Sequence, residues 1–384
     1  MVYDGGRVNY QNIIRTHHLG YYLQFFDRIR ILYWAKAEDG SEVFFENDDH
    51  FVFHPYCRPH DSGYITGIKF MYWIGRTLSG IFKNVPTDVQ MVLMAVIPIW
   101  AGLPTLIVGK LNGKKVLLRL EAQKIDCLKI EEESWGIPKY ITRIKVLILK
   151  VIYFLTIPFY DFVIGISKDL VKEAQSYRAR YSILIYIPVD LERFKPHKIQ
   201  SRKEILILSV GQIKKRKGFG EIIEALRLLK KEGNDVPKLL IVGEMSNPMD
   251  QGFFNEIRQR AEGLGVIFSG QISPEKMPEI YSLADILVHA SYVESLGLTM
   301  MEAMASGLPI IATKTSGGKE LIEDGRTGFL VSIKDPLGIK EKIQILMKHD
   351  DMRRSMGEQG REKIEIMMQE THRANKKLWE EILR

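Results

Sequence analysis

From residue 205 onward the chain repeats one pattern. Short, continuous apolar runs alternate with longer stretches in which apolar residues recur every three or four positions. The runs read as buried strands and the stretches as amphipathic helices. Strands are expected at 205–210, 238–242, 266–269, 286–289, 310–312 and 328–331, with helices between them. That alternation implies a parallel sheet covered on both faces. Ligands of such sheets bind at the carboxyl ends of the strands. The first half is less regular. Residues 29–34, 42–45 and 50–53 read as short strands, and 8–26 as a helix. Residues 114–122 form an inner strand ending in Glu121, and 161–167 a buried strand that runs into a helix. Pro196 and a polar run over 195–202 interrupt the pattern and mark a domain boundary. Residues 351–384 read as two charged helices.

Composition narrows this picture only a little. A chain of 384 residues favours two domains over one. The net charge of +7 calls for an anionic partner, such as a nucleotide, a lipid headgroup or a nucleic acid. Cys57 and Cys127 give neither a disulfide framework nor metal-ligand spacing, so a reducing compartment is expected. The first ten residues lack the apolar core of a signal peptide. Residues 89–109 are uncharged over the length of a membrane span, but Pro98, Gly102, Pro104 and Gly109 divide them into a strand end, a buried helix and a turn. Residues 144–166 are interrupted by Lys145, Lys150, Pro158 and Asp161 and read as a helix feeding a strand. The segments 66–83 and 143–159 mix large apolar residues with Lys and Arg. Two readings fit them: amphipathic helices on an anionic membrane surface, or core helices with snorkelling lysines.

Candidate chemistry concentrates at 291–307, SYVESLGLTMMEAMASG. Gly297 allows a tight turn, and 298–305 is an apolar run of strong helix formers broken only by Thr299 and Glu302. A carboxylate inside such a run is costly to bury without a partner. The helix start beside it offers free N–H groups and positive partial charge, which suit a phosphate. One segment could thus hold a diphosphate on its amides and a hydroxylated ring on Glu294 and Glu302. The plainer account is a buried helix with one capping and one solvated glutamate. A second stretch, 211–219 (GQIKKRKGF), follows a strand and opens a helix, and Lys217 sits just before Gly218. It lacks the closing Gly-Lys-Ser/Thr of a Walker A loop. On its own it also fits a solvated basic face or a nucleic-acid patch.

Glu294-x7-Glu302 followed by Ala303-Met304-Ala305-Ser306-Gly307-x-Pro309 resembles the signature of glycosyltransferase family 4, the retaining GT-B enzymes. The likeness runs from about 205 to 360, and 187–194 resembles the interdomain linker. The resemblance implies an α/β fold of GT-B architecture: two Rossmann-like doubly wound domains facing a cleft, with a C-terminal helix crossing back to the first. It implies an acceptor-binding domain over 1–195, a nucleotide-sugar-binding domain over 196–365 and a returning helix over 366–384. It implies a metal-independent hexosyltransferase with a UDP- or GDP-sugar donor, no bound cofactor and a glycan or lipid-linked acceptor. Its setting would be cytoplasmic, with peripheral attachment to the inner face of the cell membrane, and no nucleic acid is expected as partner.

The resemblance also assigns residues. Lys217 would meet the leaving diphosphate, with the backbone of Gly211, Gly297, Leu298 and Thr299, and with Gln212 where the family has Arg. Glu302 would hold the ribose and Glu294 the donor sugar. Gly243, Glu244, Gln271 and Ile272 would line the base. Gly5 and Gly6 occupy the place of the family's phosphate-facing glycine loop, with almost no strand before them. Glu121 stands where the family carries a His near the reacting sugar; a salt bridge with Arg119 is an equally good account of it. A GT-B epimerase or phosphorylase, or a non-catalytic membrane or nucleic-acid binder, would share part of this pattern.

Overall fold

The computed structural model describes residues 103–122, 125, 126, 128, 138–196, 204–245 and 250–383, together with the backbone of five short strands before residue 96. Two of those strands, β1 (Tyr3–Asp4) and β2 (Arg7–Val8), pair antiparallel. They flank Gly5 and Gly6, which lie outside the described residues, as do nearly all of the helix expected over 8–26, the strand expected over 42–45 and the segment 66–83. Val8 itself is in a strand, not a helix. The strands β3 (Ile29–Trp34) and β4 (Phe51–Tyr56) pair in parallel.

A four-stranded parallel sheet carries the rest of the first half, in the order β5 (Val92–Ala95), β6 (Lys115–Leu120), β7 (Phe162–Gly165), β8 (Ser182–Leu184). Its side chains alternate between two covers, as a pleated strand requires. Val116, Leu118 and Leu120 join a core with Leu106 of α1 (Leu103–Leu111) and Leu149 and Tyr153 of α2 (Lys139–Thr156). Leu117, Phe162 and Ile164 face the other way, onto Leu378, Trp379 and Ile382 near the end of the chain. The uncharged run over 89–109 contains β5 and most of α1, and among the described residues no helix is long and apolar enough to cross a membrane. A short helical turn (Ile157–Phe159) links α2 towards β7, as expected for a helix feeding a strand. The helix α3 (Lys168–Ser176) follows β7 and is capped by Ser167, whose hydroxyl accepts from Leu170 N.

The second half is a six-stranded, all-parallel sheet ordered β11-β10-β9-β12-β13-β14. These strands are β9 (Leu206–Val210), β10 (Lys238–Val242), β11 (Val266–Gly270), β12 (Ile286–His289), β13 (Ile310–Thr313) and β14 (Gly328–Val331). One face packs α4 (Phe219–Lys231), α5 (Gln251–Arg260) and α9 (Pro336–Lys348). The other packs α6 (Met277–Leu283), α7 (Leu298–Ala305) and α10 (Asp350–Leu383). The helix α8 (Ser316–Leu321) lies between β13 and β14. The strand order reverses between β9 and β12, which makes the crevice beyond their carboxyl ends the natural ligand site.

One expectation is corrected here. The last 35 residues form a single 34-residue helix, α10, where the charge pattern suggests two. Gly357 and Gly360 lie within it, and glycine ordinarily weakens a helix. At Gly357 the missing side chain is what lets α10 lie against the backbone oxygen of Gly307. Farther along, Arg361 donates from Nη1 to the carbonyls of Phe194 and Ala305, 2.6 Å each, tying the linker to the end of α7. The helix then reaches the first-half sheet through Leu378, Trp379 and Ile382.

Candidate active site

Two loops meet at the switch between β9 and β12. After β9 the chain passes Gly211 and Gln212 and makes a short turn over Lys215–Lys217, closed by Gly218 in the left-handed region at φ 72°. A Cβ on Gly218 would collide with the carbonyl of Ala290, just past β12. Tyr292 N donates to Arg216 O at 2.8 Å and fixes the second loop on the first. This close approach places Lys217 beside Glu294.

The Lys217 ammonium donates to Glu294 Oε2 at 2.8 Å, and both side chains are largely enclosed. His289, the last residue of β12, is buried with Nε2 3.1 Å from the same oxygen. Its Nδ1 lies 3.4 Å from Thr299 Oγ1 in the first turn of α7, and Ser291 Oγ is 3.1 Å from Nε2. Burial would raise the Glu294 carboxyl, but Lys217 and His289 outweigh it and hold it well below the usual carboxylate range. Burial lowers His289, with Glu294 opposing, so the imidazole is neutral at neutral pH. An ionised carboxylate only accepts, so Nε2 carries the proton and Nδ1 is free to accept from Thr299. The cluster is a neutral set, with Lys217 balancing Glu294. Good geometry of this kind is what a buried ion pair needs to offset lost hydration.

Glu302 sits one turn further along α7 in a different setting. Burial pushes its carboxyl up to about 7, against the opposing pull of Tyr281 and Arg193. Tyr281, fully buried, donates to Glu302 Oε2 at 2.8 Å. Phe194 packs edge-on against Tyr281 with centroids 5.7 Å apart, and Arg193 stacks over Phe194. The linker therefore walls this end of the crevice. Gly297 opens α7 at φ 93°, and a side chain there would strike Met300. The first N–H groups of the helix, those of Leu298 and Thr299, have no partner within it, as at any helix start.

Of the other expected residues, Ile272 is partly buried against the core, while Gln271 and Glu244 are exposed at the strand ends. Gly243 N donates to Gly270 O at 2.9 Å and Gly211 N to Val242 O at 2.9 Å, so these strand ends form one continuous rim. Glu121 stands just past β6 and pairs with Arg119 Nε at 3.2 Å, the second of the two accounts given for it. It is not among the groups bonded to Lys217 or Glu294. Lys215 is exposed and outside the cluster. His289 and Tyr281 were missed from the sequence. The only signal for His289 is a polar residue closing an apolar strand, and for Tyr281 a phenol on a short helix.

The two halves also touch beside the crevice. Glu320 of α8 accepts from Lys168 N, at the start of α3, at 2.9 Å and from the Tyr186 hydroxyl at 2.8 Å.

Residues 191–363 match the model of a family described as Glycosyl transferases group 1. N-acetyl-alpha-D-glucosaminyl L-malate synthase of Bacillus anthracis is 28% identical over 205 residues, which is 52% of this chain and 51% of that protein. D-inositol 3-phosphate glycosyltransferase of Corynebacterium kroppenstedtii is 32% identical over 187 residues, 44% of this chain and 41% of its own length. The chain thus spans about half the length of the curated relatives it matches. Among solved structures, sucrose-phosphate synthase from Thermosynechococcus elongatus superposes with a TM-score of 0.73 at 19% identity, over 98% of this chain and 96% of that one. The Anabaena protein HepE in complex with UDP and glucose gives a TM-score of 0.69 at 16% identity, over 93% and 94%. The fold is accordingly the GT-B architecture, with two Rossmann-like sheets and a returning terminal helix.

Proposed function

With its residues 191–363 forming a glycosyl transferases group 1 domain, we propose that this protein is a retaining glycosyltransferase. It moves a sugar from a UDP- or GDP-sugar to a glycan or lipid-linked acceptor. The observation that carries this reading is the 2.8 Å pair of Lys217 and Glu294 at the sheet's switch point, with Glu302 on the helix that follows.

Breaking the bond between the sugar's anomeric carbon and the diphosphate oxygen leaves positive charge on the ring and negative charge on the leaving group. Lys217 and the N–H groups of Leu298 and Thr299 meet that negative charge, which stabilises the transition state electrostatically. Gly211, Gln212 and Gly297 border the same diphosphate, and Gly5 and Gly6 are assigned to it by the family resemblance alone. Glu294 stays ionised and accepts from the donor sugar's hydroxyls, held in place by His289. Glu302 accepts from the ribose hydroxyls. Gly243, Glu244, Gln271 and Ile272 line the base, while Glu121, tied to Arg119, is left with a structural role. Residues 1–195 bind the acceptor, 196–365 the donor, and 366–384 return to the first domain. The protein acts in the cytoplasm, at the inner face of the cell membrane. This charge scheme uses no metal ion and no bound cofactor, so turnover should persist in excess chelator.

The test is steady-state turnover with a panel of UDP- and GDP-sugars chosen by thermal shift, since a ligand of the native state raises the melting temperature. Lys217→Ala should lower kcat by about two powers of ten or more, as for removal of one charged stabiliser of the transition state. Wild-type turnover in that variant removes Lys217 from the site. Conversion of the nucleotide sugar without any acceptor would identify an epimerase instead.

A further inference from the structure

The helix α2 is built inside out relative to an ordinary surface helix. Only Thr142, Leu149, Tyr153 and Thr156 of it are buried. Ile144, Leu147, Ile148, Val151, Phe154 and Leu155 point outward, with Leu147 at 61%, Phe154 at 55% and Leu155 at 58% exposure. At 3.6 residues per turn these six fall within an arc of about 120°, one continuous apolar stripe. Solvent ordinarily selects against such a stripe.

The charges beside it have one sign. Lys139, Arg143, Lys145 and Lys150 are all exposed, and α2 contains no Asp or Glu. Lys139, Arg143 and Lys150 lie along one edge of the stripe, and Lys145 lies beyond the other. Arg178 adds a further cation 6.0 Å from the centre of the Phe154 ring, and exposed Phe159 continues the stripe past the end of the helix. A second copy of this surface would bring like charges together. A nucleic acid would match the cations and leave the Leu, Ile and Phe side chains in water. An anionic bilayer satisfies both: side chains at the level of the acyl boundary, lysines and arginines among the headgroups. Four basic residues in eighteen keep α2 from spanning.

We propose that α2 docks this protein on an anionic phospholipid bilayer, lying in the plane of the surface with Ile144, Leu147, Val151 and Phe154 inserted. This deepens the reading that the enzyme works at a membrane and names the element that does it. The geometry is suited to that task. α2 covers the face of the first-half sheet opposite α10, so docking it turns the proposed acceptor half towards the lipid and leaves the donor half in water.

The experiment is co-sedimentation with vesicles of phosphatidylcholine alone and of phosphatidylcholine mixed with phosphatidylglycerol. Wild-type protein should bind the mixed vesicles and be partly released by salt. Leu147→Ser/Phe154→Ser should lose about tenfold or more of that binding, the order expected when two large apolar side chains go unburied. Lys139→Gln/Arg143→Gln/Lys150→Gln should lose the preference for phosphatidylglycerol. Both variants should stay close to the wild-type melting temperature, since Leu147 and Phe154 are more than half exposed and the three basic side chains are exposed. Unchanged vesicle binding in the Leu147/Phe154 variant overturns the proposal. So does a large fall in its melting temperature, which would mean that another part of this chain covers the face. RNA binding lost only in the basic-residue variant would assign the surface to nucleic acid instead. Nucleoside diphosphate affinity is measured alongside. Its absence from wild type would remove the catalytic reading and leave the vesicle result standing on its own.

Discussion

Glu294 and Glu302 are the same side chain buried in two electrostatic settings. Beside Lys217 the first stays ionised, whereas the second, beside a phenol, is pushed up to about 7. The folded protein therefore holds a proton on Glu302 that the unfolded chain has lost above its ordinary 4.5. Stability from this site is full below that value and declines as pH rises through about 7, because the folded state binds more protons across the window. Ligand binding should run the other way. Ribose hydroxyls donate to a carboxylate, so nucleoside diphosphate affinity should rise by up to about tenfold between pH 6 and 8, following the ionised fraction. Calorimetry across that range checks this. Glu302→Gln should bind more weakly and keep only the slope that comes from the phosphate's own ionisation. An unaltered slope would place Glu302 away from the nucleotide. Glu294→Gln differs in kind: it frees the Lys217 ammonium, so kcat should fall while diphosphate affinity holds or improves.

At the scale of elements, the site depends on two loops touching. Gly218 has a left-handed backbone and no room for a Cβ beneath Ala290, whereas Gly233, with the same φ of 72°, faces open space. Gly218→Ala should cost several kcal/mol and displace Lys217, while Gly233→Ala should cost only the left-handed strain of about 1 kcal/mol. Equal melting temperatures for the two variants would contradict the close approach. Much of this level was legible in the sequence. The apolar run after Gly297 gave α7 with its observed ends, and the six strands of the second sheet fall within a residue or so of their expected bounds, because buried parallel strands are continuous apolar runs. His289 was not legible. Its role exists only once β9 and β12 are neighbours, and a single polar residue has no period. The unbroken α10 was not legible as one helix because its charged run has no single apolar face in sequence, whereas in space Gly357 is a contact point that holds it against Gly307. In α2 the alternation of Lys with Ile and Leu left core and surface readings both open, the core reading slightly ahead. Only its packing partners decide which apolar residues are buried.

At the scale of the molecule, α10 belongs to both halves. It lies on α7 near Gly307, holds the linker through Arg361, and covers Leu117, Phe162 and Ile164 with Leu378, Trp379 and Ile382. Leu378→Ala should cost about 2–5 kcal/mol, as for other large-to-small changes in a core. The loss should be local: hydrogen exchange at β6 and β7 should accelerate while β9 to β12 keep their protection. Uniform acceleration would mean that the halves unfold as one. The same packing has a consequence for how the protein is made. A ribosome delivers the first-half sheet early, yet the three side chains that cover its far face emerge only after the whole six-stranded second half. Until then that face is an open apolar surface of the kind that attracts chaperones and other nascent chains. The donor half, whose strands and covering helices are delivered nearly in order, can close first. Leu378, Trp379 and Ile382 then complete a domain whose strands were made some two hundred residues earlier.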